Sequence, residues 1–170
     1  MPNFTTDLAY DYFECPIGPL LIAGNEQALH LISFPVDRYQ ERIMDSWVRD
    51  GSPLTQAFKQ LSAYFALETK EFDVELEFSG TAFQRSVWRA LLDIPFGQTI
   101  SYGELAKRIG NPNASRAVGA ANGANHLPII VPCHRVIGAD NSLTGFGGGL
   151  PTKQFLLAHE GITSPQTELF

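Results

Sequence analysis

The sequence predicts an α+β protein in two parts, a strand-rich β-meander with helices followed by a helical half that contains a helix-turn-helix. Three observations carry this expectation. Between residues 10 and 34 apolar and polar residues alternate in short runs, the period of strands. After Gly80 the period becomes helical, and Thr81 to Gln84 has the form of a capping box. Further on, two short helical segments follow each other closely, the second rich in alanine.

Taken in order, YDYFE (10–14), PLLIAG (19–24) and ALHLISF (28–34) read as three strands of a meander, separated by Pro16, Gly18 and Gly24. Residues 39–49 read as a helix burying Ile43, Met44, Trp47 and Val48. SPLTQAFKQLSAYFAL is a firmer helix: Ser52 can cap it, Pro53 suits its first turn, and Leu54, Phe58, Leu61 and Phe65 recur at helical spacing. DVELEF reads as a further strand. Gly80 marks the expected boundary between a domain of residues 1–79 and one of residues 80–170.

The second half opens with the helix capped by Thr81, which places Phe83, Val87, Ala90 and Leu91 on one face until IPFG stops it. Ser101 to Glu104 is a second capping box, so YGELAKRI is a short helix burying Leu105, Ala106 and Ile109 and ended by Gly110. In NASRAVGAANGA, residues Ala114, Ala117, Val118 and Ala121 form one stripe, and Arg116 lies roughly 160° around the helix from it. Arg116 therefore points outward. Two such helices joined by a turn of about three or four residues resemble a helix-turn-helix, although any tight helical hairpin reads the same. A last helix runs from about Pro151 to Glu160.

Composition narrows the function. No apolar run reaches the roughly 20 residues of a membrane span, and MPNFTTDLAYDY lacks the basic start and apolar stretch of a secretory signal, so a cytosolic protein without membrane association is expected. Two cysteines, Cys15 and Cys133, are too few for a disulfide framework, and the four histidines show no metal-binding spacing. No metal and no cofactor are expected. The formal charge of −6 divides unevenly, with −8 on residues 1–79 and +3 on residues 80–161. That permits nucleic-acid binding by the second half without demanding it.

The chemistry concentrates in LPIIVPCHRV, where Pro128 and Pro132 favour an extended apolar approach to Cys133. A free thiol is only a few per cent ionised at neutral pH, so a reactive one needs a base or a positive environment. His134 is adjacent, and on an extended strand it would face away, acting through a bend or a bridging water. Glu160 is an anomaly, a carboxylate in the last turn of a helix where the dipole favours cations. Joined to His134 it supplies the third group of a triad. A buried structural thiol and a solvated helix end are the alternatives for these two residues. Cys15 has no neighbouring base and reads as structural.

With these residues in place, FQRSVWRALLDIPFGQTISYGELAKRIGNPNASRAVGAANGANHLPIIVPCHRVIG, LTGFGGGL and KQFLLAHEG resemble the methylated-DNA-protein-cysteine methyltransferases, almost continuously over residues 81–161. The first half is similar in style to the ribonuclease-H-like domain of that family, and the second to its winged-helix-like domain. The resemblance implies transfer of the alkyl group of O6-alkylguanine, with O4-methylthymine a further candidate, to Cys133 in one irreversible event after base flipping. It implies His134 as base through a water, Glu160 orienting His134, and Asn125 stabilising the turn before the active-site segment. It implies that Tyr102 presses on the target phosphate and protonates guanine N3, and that Arg116 fills the gap left by the extruded nucleotide. Ala114, Ala117 and Ala121 would keep the recognition helix slim against DNA. Pro132, Val136, Phe146 and Gly147 would line the pocket. Gly147 and Phe146 depart from the Ser or Ala and the Tyr of many members, which suggests a wider pocket. The partner implied is double-stranded DNA containing O6-alkylguanine, bound by a monomer with no obligate protein partner.

Three readings compete with this one. A non-catalytic alkyltransferase-like protein lacks the cysteine, which is present here. A plain helix-turn-helix regulator would bind a defined operator without preference for alkylated guanine. A thiol hydrolase would turn over repeatedly.

Overall fold

The structure is a computed structural model and describes residue 4, residues 7–35 and residues 43–163. The described residues cluster into two compact units that meet between Gly80 and Thr81.

In the first unit, β1 (Ala9–Cys15), β2 (Gly18–Gly24) and β3 (Leu29–Ser33) form an antiparallel meander, and β4 (Val48–Arg49) joins β1 in parallel to give the order β3-β2-β1-β4. Strand β2 is central and covered on both faces, which is why its apolar run is continuous. Leu21 and Ala23 pack with Phe4, Leu8, Leu31 and Trp47. On the other face Phe13, cross-strand from Leu20, meets Phe58 and Phe65 of α1 (Thr55–Phe65) at ring distances of 5.4 and 6.3 Å.

Several expectations for this unit need correction. Of the helix expected over residues 39–49, residues 39–42 lie outside the described residues, and residues 43–49 form a turn followed by β4. Tertiary contact outweighs helical spacing there: Trp47 turns inward against Phe4, while Val48 and Arg49 pair with Ala9 and Tyr10. Ser52 does not cap α1. It opens a 3₁₀ turn, Ser52–Leu54, and donates both its N–H and its hydroxyl to Asp50 Oδ1. DVELEF makes one bridge, Leu76 to Leu29, rather than a full strand.

The second unit is helical, with α2 (Ala82–Leu91), α3 (Tyr102–Arg108), α4 (Ser115–Gly123) and α5 (Leu150–His159). Thr81 caps α2 reciprocally, Thr81 Oγ1 accepting from the Gln84 N–H and Gln84 Oε1 from the Thr81 N–H. Ser101 caps α3 through the Glu104 N–H. The α3–α4 connection is longer than expected, residues 109–114. Gly110, at φ 78°, takes the left-handed position of a Schellman closure in which the Asn111 N–H reaches the Ala106 carbonyl. Helix α2 is anchored to α4 by Trp88, whose indole N–H donates to the Ala121 carbonyl. Two short strands, β5 (Ile100–Ser101) and β6 (Val136–Ile137), pair in parallel and bring the start of α3 beside the segment that follows Cys133. Among the described residues no helix is long and apolar enough to cross a membrane.

Candidate active site

The approach to Cys133 is not extended. Residues 127–132 fold into a tight turn closed by the Val131 N–H on the Leu127 carbonyl, with Ile129 at φ 74°. A β-branched residue in that region costs about 1–3 kcal/mol, so its surroundings must impose it. Asn125 does part of this: its Nδ2 donates to the Val131 carbonyl and its Oδ1 accepts from the Leu127 N–H, both at 2.9 Å. Proline at both ends fixes φ and leaves side-chain hydrogen bonds to hold a turn that a strand ladder does not.

Cys133, His134 and Arg135 then share one 3₁₀ turn, all three buried. The cysteine and histidine therefore do not alternate across a strand. The Cys133 carbonyl accepts from Asn122 Nδ2 (3.3 Å), a buried side chain of α4.

Glu160 is the C-cap of α5, and its carboxylate gathers four donors. His134 Nε2 approaches Oε2 at 2.6 Å, Arg135 gives Nε to Oε1 (2.7 Å) and Nη2 to Oε2 (3.1 Å), and the Gly97 N–H gives Oε1 a fourth contact (3.1 Å). Arg135 spends Nη1 on the Ile94 carbonyl. Gly97 sits at φ 79°, and a Cβ there would come within 3.2 Å of the Glu160 carbonyl oxygen, so only glycine fits this turn comfortably. The carboxylate's misfit with the helix dipole is thus offset by a guanidinium, an imidazole and a backbone amide.

Burial opposes the charge on Glu160, but hydrogen bonds from His134 and Arg135 prevail and hold its carboxyl well below the usual carboxylate range. Burial likewise pushes His134 below its ordinary 6.5, against the pull of Glu160, with the positive charges of Arg135 and Lys153 adding to the fall. With Arg135 already neutralising Glu160, the consistent state is a neutral imidazole that donates Nε2–H to an ionised carboxylate. Its other nitrogen, Nδ1, is buried and has no hydrogen-bond partner among the described residues. A neutral imidazole bonded this way carries its lone pair on Nδ1, the atom able to accept a proton.

Tyr102, the first residue of α3, is half-buried beside Gly119 of α4 and next to the loop after β6. Its hydroxyl accepts from Thr144 Oγ1 (3.1 Å) and points at the Thr144 carbonyl (3.5 Å). Burial raises its pKa above 10, so the phenol keeps its proton at neutral pH.

Arg116 is exposed on α4. The three alanines differ from one another in exposure. Ala117 is exposed and Ala114, the N-cap, is half-buried, but Ala121, like Val118, is buried, at 2% exposure, and receives the Trp88 hydrogen bond at its carbonyl. Ala121 is therefore a packing residue and cannot touch DNA directly. Pro132 and Val136 are buried, whereas Phe146 and Gly147 are half-buried in the loop before α5.

Sequence reasoning gave no role to Arg135, Gly97, Asn122 or Lys153. Lys153 carried a readable signal: with Leu156, Leu157 and Glu160 it forms the i, i+3, i+4, i+7 stripe of α5, so the buried face of that helix bears a charge at each end. Among the described residues no cluster of His, Cys, Asp or Glu is arranged to hold a metal.

Family comparison agrees with the architecture. Residues 8–78 match the ribonuclease-like domain, and residues 82–162 the DNA binding domain, of 6-O-methylguanine DNA methyltransferase. The chain is 55% identical over 152 residues to the methylated-DNA-protein-cysteine methyltransferase of Methanosarcina acetivorans, covering 89% of this chain and 97% of that protein. To its counterpart in Mycolicibacterium paratuberculosis it is 51% identical over 158 residues, covering 93% and 95%. Mycobacterium tuberculosis OGT, solved in complex with DNA, superposes with a TM-score of 0.86 at 51% identity, covering 90% of this chain and 93% of that one. Fold and matched regions together define an α+β methyltransferase with a ribonuclease-like first part and a DNA-binding second part. The chain belongs to the 6-O-methylguanine DNA methyltransferase family.

Proposed function

We propose that this protein binds double-stranded DNA and moves the alkyl group of O6-alkylguanine onto Cys133, once per molecule, with residues 1–79 as the ribonuclease-like domain and residues 80–170 carrying DNA binding and chemistry. The observation that carries the reading is the bare, buried Nδ1 of a neutral His134, locked by Glu160 one residue from the only cysteine of that half.

Each step follows from the residues. The Cys133 thiol gives its proton to His134 Nδ1 through a water, and Glu160, bonded to Nε2, leaves Nδ1 as the accepting nitrogen. The thiolate attacks the sp³ carbon in line; the S–C bond forms, the C–O6 bond breaks, and the electron pair passes into the guanine ring. Tyr102 meets that charge with a proton at N3, and a backbone N–H near Gly147 serves O6. The thiol's proton rests on His134 and guanine's comes from Tyr102, so passage of one proton from the imidazolium to the tyrosinate by way of solvent restores both side chains and closes the balance. A thioether has no ordinary leaving path, so the protein is spent.

Flipping the base costs a few kcal/mol, and Arg116 offsets this by entering the stack. Ala117 and Ala114 keep the exposed side of α4 slim, Asn125 fixes the turn before Cys133, and Pro132, Val136, Phe146 and Gly147 shape the pocket. The monomer acts without a protein partner, and O4-methylthymine is a second substrate to be assayed.

Incubation with an O6-methylguanine duplex oligonucleotide followed by peptide mass spectrometry tests the proposal. The expected result is a stoichiometric gain of one CH₂ on the Cys133 peptide, lost in Cys133→Ala while DNA binding persists. An unmodified Cys133 with the lesion intact would overturn it.

A further inference from the structure

The Lys153 side chain is wholly buried on α5, at 0% exposure. Its Nζ donates to the Val136 carbonyl (2.7 Å) and the Thr144 carbonyl (3.1 Å). Among the described residues it has no carboxylate within ion-pair distance, Glu160 being held by Arg135 and His134. Two carbonyl groups alone are a poor reason to bury an ammonium, because neutral donors satisfy carbonyls without the desolvation cost.

The charged and titratable groups around it belong to one cluster. The 3₁₀ turn contributes Cys133, His134 and Arg135, the start of α3 contributes Tyr102, and α5 itself contributes Glu160. The interactions within the cluster are mutual: negative charge on Cys133 raises the proton affinity of both Lys153 and Tyr102, and Lys153 lowers that of His134. Geometry keeps the ammonium in place. Val136 follows the Cys133–Arg135 turn directly, and the Thr144 carbonyl also faces the Tyr102 hydroxyl, so Lys153 ties both walls of the site to α5.

We propose that Lys153 is a positioning residue for the methyl acceptor, its fixed ammonium serving as the counter-charge that holds Cys133 as a thiolate. This rests on the transfer reading above. His134 then removes the proton, and Lys153 stabilises the charge left on sulfur. Burial holds the lysine down to about 8, so it remains mostly protonated at neutral pH.

The test is the rate of Cys133 methylation by an O6-methylguanine oligonucleotide between pH 5.5 and 9.5, for the native protein and Lys153→Met. Loss of the positive charge disfavours the thiolate, so the ascending limb should move about one pH unit alkaline: about a tenfold deficit on the acid side that closes at high pH. A deficit equal at every pH, or none, would assign Lys153 a structural role only and overturn the proposal. Should Lys153→Met fail to fold, the native protein answers instead through the ¹³Cε titration of Lys153 by NMR. Neutralising sulfur by methylation should lower the lysine pKa, and an unchanged value overturns the proposal. A native protein that takes no methyl group refutes the transfer reading alone. The coupling is then read from the pH dependence of iodoacetamide alkylation at the Cys133 peptide, native against Lys153→Met, with the same limb shift expected and an unmoved limb decisive against it.

Discussion

Replacing Glu160 by Gln separates stability from chemistry at the buried charge cluster. The Glu160 side chain is fully buried and that of Arg135 only 7% exposed, with N–O contacts of 2.7 and 3.1 Å. Removing one partner of such a pair leaves an uncompensated charge at about 3–5 kcal/mol. Gln keeps one acceptor oxygen and Arg135 keeps the Ile94 carbonyl, so the lower end, about 3 kcal/mol, is expected. His134 simultaneously loses the anion that orders its ring, and methyl transfer should slow by about a hundredfold. Urea denaturation at pH 7 reads the first effect and single-turnover transfer to Cys133 the second. The Arg135→Met, Glu160→Gln double variant removes both charges and should recover most of the stability without recovering the rate, giving a coupling of about 3 kcal/mol between the two positions. The pH dependence has a definite sign. The Glu160 pKa is depressed, so its contribution is complete above the ordinary carboxylate range and is lost as pH falls through the lowered value. A Glu160→Gln protein within 1 kcal/mol of native stability and within twofold of its rate would refute this account.

Three further outcomes are expected. Arg116→Ala should change stability by less than about 0.5 kcal/mol, because the side chain is exposed, yet slow repair about tenfold by removing the wedge; unfolding of this variant by circular dichroism would count against its placement. Lys153 titrates at about 8 in the folded protein against an ordinary 10.5, so the unfolded chain binds more protons between those values and stability should rise with pH across that window. The gain should reach about 3 kcal/mol in denaturation curves and vanish in Lys153→Met. Gly147→Ser should lower the benzylguanine to methylguanine rate ratio about tenfold by narrowing the half-buried loop, and an unchanged ratio rejects the wide-pocket idea.

Local signals were the legible ones. The meander could be read because strand alternation is a local pattern, and α2 because Thr81 and Gln84 satisfy each other within one turn. Glu160 was visible as a charge opposed to its own helix dipole. What stayed hidden depends on partners distant in sequence. Nothing near Trp47 records that it will pack against Phe4, so helical spacing misled there. The turn before Cys133 is held in part by Asn125, and β5 and β6 are too short to carry any period. Ala121 looked interchangeable with Ala117 because small residues encode no direction; burial separates them, Ala121 lying inside where Trp88 reaches its carbonyl and Ala117 lying exposed.

The charge balance of the second half changes meaning once burial is known. Of the seven cations in residues 80–161, Arg135 and Lys153 lie inside the unit, and of its four acids so does Glu160. The formal +3 therefore resolves into +1 within the site and +2 outside, carried by Arg85, Arg89, Lys107, Arg108 and Arg116 against Asp93, Glu104 and Asp140. An outer surplus so small gives weak general attraction to a phosphate backbone, which in the proposed reading leaves affinity for DNA to the placement of α4 and Tyr102 rather than to bulk charge. The inner surplus has the opposite purpose. A site holding two buried cations against one carboxylate is short of one negative charge; in the transfer proposed above a thiolate on Cys133 supplies it, and alkylation then removes that charge for good.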